Sequence, residues 1–147
     1  MKIGIVGALD WPVVPAAVPI IENLLSQTVD PNADNVIMTK LADVGMNYLI
    51  HRWAWKHAFR IEGIAPRSVW EHPVWMASET SIVGSDWGDE NYKFIHECDA
   101  IVKISDDTLS NKQFEQASAT GLQVVDHTQA IEQLLARSVG SMLNLGE

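Results

Sequence analysis

The chain has 147 residues, 47% of them apolar, and a formal net charge of −9. That is the size of one domain able to bury a core, and its acidic balance argues against nucleic acid or anionic membrane as a partner. No apolar run reaches the length of a bilayer span, Lys2 leads straight into a strand-like run rather than a signal peptide, and the lone Cys98 can form no internal disulfide, so a cytoplasmic protein is expected.

The opening residues, MKIGIVGALDWP, read as a buried strand ending on Gly7, followed by Ala8, Leu9, Asp10, Trp11 and Pro12 where a phosphate-binding loop would continue with more glycine. Val18, Ile21, Leu24 and Leu25 then recur at helical spacing, predicting a helix over about 15–27 with Pro15 suited to its first turn. NVIMTK is a second strand after a turn rich in Asp, Asn and Pro. VGMNYLIHRWAWKHAF is a second helix, and RIEGIAP a third strand.

From Arg67 to Gly88 the pattern breaks down, with Trp70, Pro73, Trp75, Gly84 and Trp87 at no clean period, which predicts an irregular excursion holding a short strand or turn. DENYKFIHEC follows as a helix, AIVKIS as a strand, SNKQFEQASAT as a helix stopped by Gly121, LQVV as a strand and HTQAIEQLLARSVG as a closing helix. Strands separated by helices of this length predict one α/β domain over 1–147, doubly wound, with a mostly parallel sheet of about five strands between two helical layers. Ligands bind such sheets beyond the carboxyl ends of the strands, near the point where strand order reverses. That rule nominates Gly7 to Pro12, Thr39 to Gly45, the excursion ending near Asn91, and Ser105 to Asn111.

Four segments resemble the SLOG superfamily, and most of all its YspA-like branch. The first strand with Gly7 is similar to the family's opening strand and short loop. In TKLADVGMNYLIHRWA, the residues Thr39, Ala42, Gly45, Trp53 and Ala54 fit its second motif; Asn91, Asp99 and Ala100 fit the third, and Ala117 and Gly121 the fourth. The resemblance covers nearly the whole chain and implies a Rossmann-like fold. The superfamily includes nucleotide glycosidases, a DNA-processing protein and binding modules for nucleotide-derived signals.

The chain departs from the family pattern where phosphate would be held. Lys40 and Leu41 replace paired glycines, Glu90 replaces an arginine beside Asn91, and a Gly-Thr turn becomes DDTLSN, which places Asp106 and Asp107 near the expected phosphate position. Amides at a helix N-terminus attract anions, but carboxylates in the same loop oppose that attraction. Lys40 could restore some positive charge.

Individual residues carry two readings each. Asp10 and Trp11 could bond a ribose and stack on a base, or simply close the end of the sheet. Ser110 could touch a ligand, yet with Gln113 three residues on it also forms a capping box; Asp126 and Gln129 read only as a cap. The resemblance implies that Glu115 assists cleavage of an N-glycosidic bond, as a glutamate does in that neighbourhood of related enzymes, whereas by itself it reads as a solvated helix residue. The histidines show no metal-ligand spacing, and Cys98 reads as a small buried residue at a helix end.

Met46, Tyr48, Leu49, Ile50, Trp53 and Trp55 spread apolar surface around most of the second helix, which predicts burial on two sides and a homo-oligomer through Met46–Trp55, unless the excursion covers it within one chain. The expectation for function is binding without turnover of a small nucleotide-derived or sugar-like molecule, with no cofactor and no metal. Its contacts are expected from Gly7, Ala8, Asp10, Trp11, Thr39, Lys40, Gly45, Glu90, Asn91, Asp106, Asp107, Thr108, Ser110 and Asn111. The alternatives are an N-glycosidase or deoxyribosyltransferase with Glu115 as its catalytic carboxylate, and an assembly protein with a vestigial pocket.

Overall fold

Strand residues rich in Val and Ile without polar alternation need cover on both faces, and the fold supplies it. The computed structural model describes residues 1–8, 10, 14–30, 32–40, 45–65, 79–82 and 94–144. Its strands are β1 (Lys2–Val6), β2 (Val36–Lys40), β3 (Arg60–Ala65), β4 (Glu79–Ile82), β5 (Ala100–Lys103) and β6 (Gln123–Asp126). They form one sheet in the order β4-β3-β2-β1-β5-β6, and every neighbouring pair is parallel. The doubly wound α/β fold is therefore as expected. The strand beyond the expected five is β4, which comes from the excursion and pairs with β3.

The helices are α1 (Ala17–Thr28), α2 (Gly45–Lys56), α3 (Thr108–Ala119) and α4 (Thr128–Asn144), with a helical turn over 94–97. Successive strand side chains point to opposite faces. Ile3, Ile5, Val102 and Ile104 pack with Ile21 and Leu25 of α1, Leu49, Ile50 and Trp53 of α2, and Ile131 of α4. Val6, Met38 and Ile101 pack on the other side with Phe94, Ile95, Cys98 and Ala117, so Cys98 is a buried packing residue. These are the two helical layers. No described helix is long and apolar enough to cross a membrane.

Helix ends follow local chemistry. Gly121 adopts φ +83° after α3, and Gly121 N donates to Ser118 O while Leu122 N donates to Ala117 O, the paired bonds of a left-handed C-terminal stop. The same bonds recur where α2 ends, three residues before Phe59. Ala58 takes φ 57°, Ala58 N donates to Trp55 O, and Phe59 N donates to Ala54 O. A left-handed alanine was not legible in an otherwise helical pattern.

Much of the apolar surface of α2 is buried within its own chain. Met46, Leu49, Ile50, Trp53 and Ala54 enter the core. Asn47 and His51, on an adjoining face, are also buried, Asn47 Nδ2 donating to Lys40 O and His51 Nε2 lying 2.7 Å from Thr39 Oγ1. Tyr48 and Trp55 are the exposed aromatics of the helix, at 39% and 55%. Arg52 and Lys56 reach Glu22 of α1 at 3.9 and 3.4 Å. Trp70, Trp75 and Trp87 lie outside the described residues.

Candidate functional site

Strand order reverses at β1: the chain lays β2, β3 and β4 to one side, then returns to set β5 and β6 on the other. The crevice beyond β1 and β5 is where an open parallel sheet binds ligands. A cleft of about 370 Å³ opens there, at the small end of the range for small-molecule sites. Ala8 and Asp10 after β1, Met46 of α2 and Ile104 to Asp107 after β5 line it. Thr128, Ile131, Glu132 and Leu135 of α4 complete the wall, spaced i, i+3, i+4 and i+7 as one helical stripe.

Short bonds hold the two loops together. Ala8 N donates to Ser105 Oγ at 2.7 Å, and the Ser105 hydroxyl donates to Asp107 Oδ1 at 2.6 Å. Ile104 N donates to Val6 O at 3.0 Å, carrying the β1–β5 pairing past the strand end. Met46 N donates to Ala8 O at 2.9 Å, which ties the first turn of α2 to the same loop. Beneath them Lys40, fully buried, donates from Nζ to Gly7 O at 3.0 Å. A long apolar stem lets such a residue lie in a core while its ammonium finds a carbonyl.

Gly7 is required by packing. A Cβ there would stand 2.8 Å from Met46 Cβ and 3.0 Å from Ile104 Cγ1, so glycine lets α2 and the end of β5 close on β1.

The start of α3 corrects the expected capping box. The helix begins at Thr108, and its N-cap is Asp107, whose Oδ2 accepts from Ser110 N at 3.1 Å. Ser110 and Gln113 are instead fully buried inside the helix. Asn111 Nδ2 donates to Asp106 Oδ1 at 2.8 Å. At the start of α4, Asp126 Oδ1 accepts from Thr128 N at 2.9 Å, a turn one residue ahead of the helix rather than the expected box with Gln129, and the His127 carbonyl accepts the first helical bond from Ile131 N.

Of the residues nominated from sequence, Ala8, Asp10, Asp106 and Asp107 line the cleft. Gly7, Thr39, Lys40, Gly45, Thr108, Ser110 and Asn111 are not among its lining residues, and Thr39 and Lys40 are buried in the bonds given above. Glu115 is exposed on α3 and is also not among them. Trp11, Glu90 and Asn91 lie outside the described residues. Met46, Ile104 and the α4 stripe were missed, while Ser105 was nominated only as the start of its loop. The i, i+3, i+4, i+7 spacing at Thr128, Ile131, Glu132 and Leu135 was the available signal, but it reads equally as a core face.

The cleft is acidic. Asp10, Asp106, Asp107 and Glu132 line it, with no Lys or Arg among the described lining residues. Burial alone would raise the Asp107 carboxyl, but hydrogen bonds from the Ser105 and Ser110 side chains and the Ser110 backbone, with attraction from Lys40, outweigh it and hold the group below the usual carboxylate range. A depressed folded-state value contributes stability that is present above the unfolded carboxylate value of roughly 3.9 and is lost as pH falls through the folded one. Asp107→Asn should therefore be clearly less stable than the parent in urea at neutral pH, with the gap closing below about pH 4. A gap that stays constant with pH would show that the charge is not what stabilises. Among the described residues no group of three His, Cys, Asp or Glu could hold a metal ion.

No family model matches the sequence, and no curated protein matches it. Solved structures do match in fold. The molybdenum cofactor carrier protein MCP from Chlamydomonas reinhardtii is similar with TM-score 0.70 at 13% identity, over 95% of this chain and 85% of that one. The molybdenum cofactor binding protein from Rippkaea orientalis gives 0.67 at 16%, over 92% and 82%. TM1055, a structural-genomics target, gives 0.63 at 16%, over 84% and 71%. These likenesses show a Rossmann-like fold.

Proposed function

We propose that this chain binds a small nucleoside- or sugar-like molecule in the cleft beyond β1 and β5 and holds it without chemical change, as a carrier, sensor or sequestering protein of SLOG type. The observation that carries this is the coincidence of the cleft with the reversal of strand order. Met46, Ile104, Ile131 and Leu135 offer an apolar wall for a ring, and Asp10, Asp106 and Glu132 offer acceptors for hydroxyl or amino groups. Two of the structural neighbours are named for binding or carrying the molybdenum cofactor, which supports binding as the class of activity. The glycosidase alternative loses support because Glu115 is not among the cleft residues.

Native mass spectrometry of freshly purified protein, followed by denaturation and mass analysis of what is released, tests the reading. A stoichiometric small molecule, or saturable uptake from a panel of nucleosides, sugars and the molybdenum cofactor, is the expected result. An empty protein that takes up nothing from the panel would overturn it and favour an assembly role. The same spectrum reads subunit number, and a homo-oligomer through Met46–Trp55 would give multiples of the chain mass.

A further inference from the structure

We infer that Lys40 is the positioning residue of the cleft: buried beneath it and out of a ligand's reach, its ammonium heads a one-way series of hydrogen bonds that fixes the loops after β1 and β5. Its effect on binding rests on the reading of the cleft as a ligand site; its effect on the loops does not.

Packing alone does not call for a charge here. Met38 and Lys40 stand two residues apart on β2, so their side chains leave the same face of the sheet, where Met38 packs into an apolar core. A methionine at 40 would fill similar space, whereas a lysine buried this far must find partners for its ammonium. Lys40 is fully buried and is not among the residues that line the cleft.

From Lys40 the bonds run in one line. Lys40 Nζ donates to Gly7 O at 3.0 Å. At the other end of that same peptide group, Ala8 N donates to Ser105 Oγ at 2.7 Å. The Ser105 hydroxyl donates to Asp107 Oδ1 at 2.6 Å. Every bond points the same way, from a cation to an anion, and bonds in such a series polarise and strengthen one another. The Gly7–Ala8 peptide is gripped at both its oxygen and its nitrogen, which sets its plane. Attraction between the Lys40 and Asp107 charges adds to this. Ala8, Ser105 and Asp107 all line the cleft, and the Ala8 carbonyl also receives Met46 N of α2. One residue outside the cleft thus places three of its walls.

The test uses Lys40→Met, which keeps the apolar stem and removes the charge and its donors. Solution NMR reads the series without any ligand. The Asp107 carboxyl should titrate at higher pH than in the parent, because a cation that favours its charged form is gone. Asp126, whose partners are Thr128 and Lys103, should titrate as before. The Ala8 amide should exchange with solvent at least about tenfold faster relative to the Val29 amide at the end of α1, a comparison that corrects for a global loss of stability. A folded variant in which either the Asp107 titration or the Ala8 exchange matches the parent overturns the proposal. Should Lys40→Met not fold, Asp107→Asn reads the series from its other end: the Lys40 Nζ resonance should shift, and an unmoved resonance overturns the proposal equally.

Adenosine serves as the probe of the cleft, measured by calorimetry. Where the parent binds it, Lys40→Met should bind at least about tenfold more weakly although residue 40 cannot reach it, and equal affinity overturns the positioning role. A parent that takes up neither adenosine nor any other member of the panel removes the ligand reading, and the two NMR readouts then decide the role of Lys40 by themselves.

Discussion

Trp53→Ala should lower the unfolding free energy by about 3–5 kcal/mol, the range for removing a large aromatic from a core. Against a total of roughly 5–15 kcal/mol for a domain, this is enough to leave part of the population unfolded. Trp53 is fully buried on α2, and its Nε1 donates to Ser26 Oγ of α1 at 2.9 Å. Its ring meets Phe59, next to β3, at 5.1 Å between centroids and His57 at 5.7 Å. One side chain therefore joins two helices and the entry to a strand, and alanine would leave a void that three separate elements must close. Urea unfolding followed by circular dichroism measures the loss without depending on the other tryptophans. Trp53→Phe should cost far less, because it keeps most of the ring and forfeits the bond to Ser26. A loss below about 1 kcal/mol for Trp53→Ala would mean that the α1–α2 layer does not depend on this contact.

Gly7→Ala should cost about 1–3 kcal/mol, as expected when a methyl is forced into a packed interior. The obstruction is stiff. Met46 Cβ, 2.8 Å from the added carbon, is fixed to the α2 backbone and cannot rotate away, and Ile104 Cγ1 stands at 3.0 Å on the other side. Relief requires moving the first turn of α2, which strains the bond from Met46 N to Ala8 O. Met46, Ala8 and Ile104 all line the cleft, so the same substitution should also weaken whatever ligand it holds. Gly121→Ala is the contrast. Its added Cβ would meet nothing within 4 Å, and the cost there comes from φ +83° alone. If Gly7→Ala unfolds within about 0.5 kcal/mol of the parent, the close packing of α2 on β1 is not a constraint.

Several features were legible because they depend on near neighbours in the chain. KIGIV, VIMTK and AIVK read as strands from their apolar, β-branched runs, and Gly121 marked the end of α3. The rule that parallel sheets bind ligands at their strand ends then selected two loops that do line the cleft. The N-cap was misplaced because Asp107 and Ser110 are both competent caps. Asp107 takes the role in the structure, with its second oxygen held by the Ser105 hydroxyl, a contact from outside the helix.

The sequence by itself determined the alternation of strands and helices, the acidic character and the loops worth searching, since periodicity and composition are properties of short segments. Tertiary structure alone decided three things. Glu79–Ile82 joins the sheet through its partner β3, because a short strand is held by pairing more than by propensity. Lys40 turns inward because the Gly7 carbonyl is there to receive it. Above all, Ala8, Met46, Ile104 and Thr128 share one cleft, and residues so far apart meet only through the order in which the strands pair. That order is set by packing across the whole domain, which no local window contains.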